Sequence, residues 1–328
     1  MTSLFLAPVQ DEVGHDKARY LEVSRGYCMN RGIYFLANDR MLELAGPFLC
    51  SLRCFNPNAP LCLIPYDDNC HALTGLCNLY GFEVFRDSQV LCRCDAISLH
   101  FHDRTCGAYR KLACWEGPFD EFVYVDVDTI VLHSLDFCYQ LLAVLSFLVA
   151  NGDIASNRRW VWHDSIDQCD LIPGPAKAFA ANTGFIASKR SALSLFSAEE
   201  RLPSALSLKP HMQLLCMEQP FLNYLMVTSG HAYTSLNVLR GKFAVSVPCE
   251  IWAGLDLHNG KDGLPKEPDI CFVHWAGIWR QGVHRTDPTW QYYHALHNHL
   301  LEERQQAAEK STLPQPGLWP MLSSKECR

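Results

Sequence analysis

Phe119-Asp120-Glu121-Phe122-Val123-Tyr124-Val125-Asp126-Val127-Asp128-Thr129-Ile130-Val131-Leu132 is the stretch that decides how the chain is to be read. An apolar run of this length, rich in aromatic and β-branched residues, has the pattern of a buried strand. It ends in two carboxylates one residue apart. In extended chain, positions i and i+2 project to the same side, so Asp126 and Asp128 are expected on one face at the strand's end. Two hard oxygen ligands that leave coordination sites open suit a divalent cation bridging a diphosphate, because substrate oxygens and water complete its octahedron. A bare D-x-D is otherwise a solvated turn. The apolar strand before this one, and the habit of open α/β sheets of placing functional loops at strand ends, argue for a site.

Upstream, Ile33-Tyr34-Phe35-Leu36-Ala37 reads as the first buried strand, closed by Asn38-Asp39. Met41, Leu44, Ala45, Phe48, Leu49 and Leu52 follow at helical spacing, with Gly46-Pro47 expected to kink or restart that helix. Leu61 to Pro65 is a second strand, His71 to Tyr80 a helical stretch, Phe82 to Phe85 a third strand, and Thr105 to Trp115 a helix carrying Lys111. Strands and helices in this rhythm predict a mainly parallel sheet with right-handed crossovers, a nucleotide lying beyond the strands' C-terminal ends.

Downstream, Leu135 to Val149 is expected to be helical, and the apolar run Leu141 to Ala150 reads as a buried helix too short to span a bilayer. Asp153-Ile154-Ala155 reads as a short strand, 156–181 as an irregular segment rich in aromatics, Asn182 to Ala187 as a strand and Gln213 to Val227 as a helix. Cys271-Phe272-Val273 is the last clear strand and ends at His274. The expected organisation is an extension over 1–29, with a short charged helix from Asp11 to Ser24, a main domain over 30–286, and a C-terminal helix and tail over 287–328. His294, His297 and His299 read as a solvated face of that last helix, and Pro314, Pro316 and Pro320 as peripheral.

The 328 residues, 48% hydrophobic and 19% charged, suit one large domain with extensions. A formal net charge of -7 leaves no basic footprint, which argues against general nucleic-acid binding. Any anionic ligand therefore needs local positive charge. The 16 cysteines occur singly, with no C-x-x-C, and Cys92/Cys94 and Cys50/Cys54 lack a second pair at zinc-site spacing. They read as reduced, buried thiols in a cytoplasmic protein, with neither a recognisable secretory signal nor a transmembrane segment.

From Ile33 to Gly282 the sequence resembles the GT-A nucleotide-sugar transferases, in particular glycosyltransferase family 8 and its glycogenin-like members. Separate motifs carry the resemblance, in the family's order. Asn38-Asp39, after the strand that contains Leu36, is similar to the nucleoside-binding turn, and Tyr109-Arg110-Lys111-Leu112 with Trp115 to the helix before the metal motif. Asp126-Val127-Asp128-Thr129-Ile130-Val131-Leu132 is similar to D-x-D-T-x-V-L, and Asn182-Thr183-Gly184-Phe185 stands where the family has its N-x-G strand. Glu218-Gln219-Pro220-Phe221-Leu222-Asn223 resembles D-Q-x-x-L-N, and His274-Trp275-Ala276-Gly277-Ile278-Trp279-Arg280 keeps the spacing of H-x-x-G-x-x-K.

The resemblance implies an α/β fold of GT-A type, with a Rossmann-like nucleotide-binding half and an acceptor-side half. It implies a retaining hexosyltransferase that uses a nucleoside diphosphate sugar, a UDP-sugar in the family, and Mn²⁺ or Mg²⁺ held by Asp126, Asp128 and His274. Leu36, Asn38, Asp39, Asn182, Gly184 and Glu218 would line the donor, and Gly277 and Arg280 would meet the diphosphate. Lys111 would reach the donor's sugar or phosphate, unless it is simply a solvated helix lysine. Gln219 would lie near the anomeric carbon, unless its amide is structural. Met41 replaces a base-stacking aromatic of glycogenin-like members, Arg280 replaces Lys, and Glu218 replaces Asp. Trp160, Trp162, His163, Trp252 and Trp279 are candidate platforms for an acceptor whose identity stays open. A nucleotidyltransferase or nucleotide-sugar hydrolase, and a non-catalytic binding protein, are the competing classes. Leu36-Ala37-Asn38-Asp39-Arg40 lacks the Gly-rich loop of the first.

Overall fold

Residues 29–151, 155–242, 247–252 and 270–310 are described by a computed structural model of the chain. The expected N-terminal helix, the expected strand at 153–155 apart from its last residue, and the tail beyond 310 lie outside them. The strands are β1 (Arg31–Ala37), β2 (Leu61–Pro65), β3 (Phe82–Val84), β4 (Glu121–Val125), β5 (Thr129–Val131), β6 (Phe147–Ala150), β7 (Asn182–Lys189), β8 (Tyr233–Ser235), β9 (Cys249–Trp252) and β10 (Ile270–His274). The helices are α1 (Leu42–Phe55), α2 (His71–Thr74), α3 (Cys77–Tyr80), α4 (Ser88–His102), α5 (Asp136–Leu141), α6 (Gly174–Lys177), α7 (Leu195–Leu208), α8 (Gln219–Val227), α9 (Leu236–Lys242) and α10 (Pro288–Lys310).

Seven strands form one sheet in the order β3-β2-β1-β4-β7-β6-β8, and β5-β10-β9 form a second. The run β3-β2-β1-β4 is parallel, as expected, whereas β7 is antiparallel to both β4 and β6. Alternation along the strands sorts side chains between two cores. Tyr34, Leu36, Phe122 and Tyr124 enter one, while Ile33, Phe35, Val123 and Val125 enter the other. The first core is closed by α4, α7 and α8, the second by α1 and α10.

Five sequence expectations are corrected. The apolar run 141–150 is not a helix: α5 ends at Leu141, and Phe147 to Ala150 form β6, between β7 and β8. A strand buried on both faces is apolar at every position, so its periodicity resembles that of a buried helix. Phe147 and Val149 do enter one core, and Leu148 and Ala150 the other. The helix expected from Gln213 begins only at Gln219, where Pro220 fits the first turn. Helix α1 runs through Pro47, and Gly46 serves another purpose, since a Cβ there would stand 2.5 Å from the His297 ring. His297 is accordingly buried rather than solvated, with Nδ1 2.6 Å from Tyr80 Oη. The expected helix before Asp126 is a 3-10 helix, Gly107–Trp115, buried at every position, and α4 was not anticipated.

Candidate active site

Asp126 is the last rung of the large sheet, its N–H donating to the Gly184 carbonyl at 2.8 Å. Two residues on, the Asp128 carbonyl accepts the Trp275 N–H at 2.9 Å, and Thr129 pairs with His274 in the small sheet. The chain changes sheets across Asp126-Val127-Asp128, with Val127 buried in the second core. That crossing brings the carboxylates together. Strand β4 has already ended at Val125, so the alternation expected of extended chain is not what aligns them.

Ligand atoms of Asp126, Asp128 and His274 lie within 4.8 Å of one another. Gly184 permits this approach, because a Cβ there would stand 2.3 Å from His274 Cε1 and 2.9 Å from Asp126 Oδ2. Two carboxylate oxygens and an imidazole nitrogen form a donor set that suits Mn²⁺ or Mg²⁺, so these residues fit such an ion. His274 is buried, with Nε2 3.1 Å from Asp128 Oδ1 and Nδ1 3.2 Å from Glu250 Oε1. Burial opposes charge on its ring, but the Asp128 and Glu250 carboxylates outweigh it and raise the pKa to about 10. Burial likewise opposes charge on Asp128, yet His274, the Gly277 N–H and Lys111 hold it below the usual carboxylate range. Sequence reasoning missed Glu250. A single carboxylate in Cys249-Glu250-Ile251-Trp252 acquires meaning only when β9 pairs with β10 and sets Glu250 opposite Phe272.

Lys111 is buried, which removes the solvated alternative. Its ammonium stands 3.1 Å from Asp126 Oδ1 and 2.7 Å from Glu218 Oε1, and donates to the Thr183 carbonyl at 3.2 Å. Burial works against the charge, and the two carboxylates overcome it, keeping Lys111 protonated above its ordinary range. Tyr124 Oη donates to Asp126 Oδ1 at 2.5 Å. Glu218 Oε1 also accepts the Thr183 hydroxyl at 3.0 Å, so Thr183, singled out only within its motif, ties β7 to the start of α8.

Gln219 is held at both ends of its amide: Oε1 accepts the Thr183 N–H at 3.1 Å, and Nε2 donates to the Trp160 carbonyl at 3.0 Å. Asn182 Oδ1 accepts the Gly184 N–H at 2.8 Å. Beyond β1, Asn38 donates to Asp67 at 2.8 Å, and Asp39 accepts the Ala72 and Leu73 N–H groups at the start of α2. Leu36 is a buried core residue. Gly277, at φ 74°, opens the 3-10 helix Ile278–Gln281, on which Arg280 is exposed with its guanidinium 5.1 Å from the Trp279 ring centre. The irregular segment leaves Trp160 44% exposed and buries Trp162, while the side chain of Trp252 lies outside those described.

The sequence matches no protein-family model and no curated protein. Solved structures do match. The galactosyltransferase LgtC, in complex with donor and acceptor sugar analogs, is 15% identical over 87% of this chain and 98% of its own, with a TM-score of 0.51. An active-site mutant of LgtC is 12% identical over 83% and 95%, with a TM-score of 0.50. The WbbM bifunctional glycosyltransferase, in its apo structure, is 13% identical over 76% of this chain, with a TM-score of 0.50, and the match spans 46% of the WbbM chain. The architecture is that of the GT-A glycosyltransferases, a mixed α/β fold with a mostly parallel principal sheet. Among the described residues no helix is long and apolar enough to cross a membrane.

Proposed function

We propose that this chain is a metal-dependent, retaining glycosyltransferase that moves a hexosyl unit from a nucleoside diphosphate sugar, a UDP-sugar in the first instance, to an acceptor hydroxyl. The observation that carries the reading is the convergence of Asp126, Asp128 and His274 where the chain passes between sheets, beside a clearance kept by Gly184. When bound, Mn²⁺ or Mg²⁺ supplies positive charge and Lewis acidity at the diphosphate. Lys111 brings a permanent charge to the same place, and Arg280 a guanidinium suited to phosphate oxygens. In the reaction the bond from the anomeric carbon to the diphosphate oxygen breaks, a bond to the acceptor oxygen forms, and the acceptor's proton passes to a diphosphate oxygen. Gln219 is a neutral amide without useful basicity, which favours retention over an inverting path that needs a carboxylate base. Asn38 and Asp39, with Leu36 behind them, would face the nucleoside, and Asn182 and Glu218 the sugar. The buried thiols support a reducing, cytoplasmic setting.

Calorimetry of UDP with the full chain tests this reading. UDP should bind with Mn²⁺ and lose its affinity with a chelator or in Asp128→Ala. Equal affinity in all three overturns it.

A further inference from the structure

An open pocket of about 440 Å³ reaches Met217, two residues before Gln219, and the donor chemistry does not use it. His102, Arg104, His163 and Lys209 line it, together with Met217 and the 82% exposed Leu215. No carboxylate lines it among the described residues; Asp103 and Asp164 adjoin lining residues in sequence without lining it themselves. In a chain of formal net charge -7 this is a local inversion of sign.

Three segments join the pocket to the site. Met217, which immediately precedes Glu218, holds a φ of 54°, a left-handed backbone that costs energy in a residue with a long side chain. Tyr109, two residues before Lys111, places its hydroxyl 3.2 Å from His102 Nε2 and 3.5 Å from the Met217 carbonyl. His163 follows three residues after Trp160, whose carbonyl anchors Gln219 and whose half-exposed indole carries the Arg159 guanidinium over its ring at 5.0 Å. One of the pocket's cations is restrained: Lys209 Nζ donates to the His100 carbonyl at 2.9 Å, at the end of α4. Restrained charge binds an anion at less entropic cost than free side chains do.

We propose that this pocket receives the acceptor, and that the acceptor carries a phosphate or carboxylate group besides the hydroxyl it offers. This rests on the glycosyltransferase reading. Long-range repulsion from an acidic chain disfavours anionic ligands in general, so positive charge confined to the pocket that Met217 joins to the site selects for them there.

The test is calorimetry of glucose 6-phosphate, glucuronate and glucose with the full chain, with and without UDP and Mn²⁺, alongside the Arg104→Gln/Lys209→Gln variant. At least one anion should bind about tenfold or more tightly than glucose. Tighter glucose 6-phosphate identifies a phosphate, and tighter glucuronate a carboxylate. The double variant should lose that preference while binding UDP with Mn²⁺ as before. Equal affinities, no anion binding, or a preference that survives in the variant overturns the proposal. Failure of UDP to bind the wild type overturns the glycosyltransferase reading instead, since the anion preference is read separately in the nucleotide-free titrations.

Discussion

His274 Nδ1 stands 3.2 Å from Glu250 Oε1, while Glu250 Oε2 accepts the Asn151 amide at 2.7 Å. In the neutral ring that would bind a metal, a carboxylate on Nδ1 fixes the imidazole's tautomer and leaves Nε2 as the ligand atom beside Asp128. Glu250→Leu should weaken Mn²⁺ affinity by roughly 10–100-fold, and Glu250→Gln, which keeps an acceptor oxygen, by less. Titration of Mn²⁺ by its electron paramagnetic resonance signal checks this. Equal affinity in wild type and the leucine variant refutes it.

Lys111 sits buried between Asp126 and Glu218. Removing one partner of a buried ion pair strands the other's charge, so Lys111→Ala should cost about 3–5 kcal/mol in denaturant unfolding. Lys111→Met combined with Glu218→Met should recover more than half of that loss, because the stranded charge is then gone. A double variant no more stable than Lys111→Ala argues against the pair.

His297 gives the fold a dependence on pH. Burial under α1, assisted by the charge of His294, lowers its pKa from 6.5 to about 4. The unfolded chain therefore binds this proton more readily, and stability falls as pH drops from 6.5 towards 4, while above 6.5 the histidine contributes no slope. The loss amounts to about 2–3 kcal/mol. Urea midpoints across that range should be flatter in His297→Gln, which can still accept from Tyr80.

Stereochemistry provides the last expectation. An α-linked donor should yield an α-linked first product by NMR, because the amide of Gln219 is no base and Glu218 is occupied by Lys111 and Thr183. A β-linked first product would move suspicion to Glu218, or to an aspartate elsewhere such as Asp164 or Asp167.

The parallel half of the sheet could be read from the chain itself. Strands β1, β2 and β4 are short apolar runs bounded by turn residues, and strand character of this kind is local chemistry. The motif positions were equally legible, since Asp126 and Asp128 flank the junction of β4 and β5, Gly184 lies near the start of β7, His274 ends β10 and Gln219 opens α8. Strand β6 was not, because burial on both faces erases the alternation that separates strand from helix. Nor could sequence decide that the two aspartates meet because the chain passes from one sheet to another, that His297 lies under α1, or that Lys111 is shared by two carboxylates. Glu250 is 24 residues from His274 in sequence and in hydrogen-bonding contact in space. Contacts of that kind are set by strand pairing, a property of the whole sheet that no local window contains.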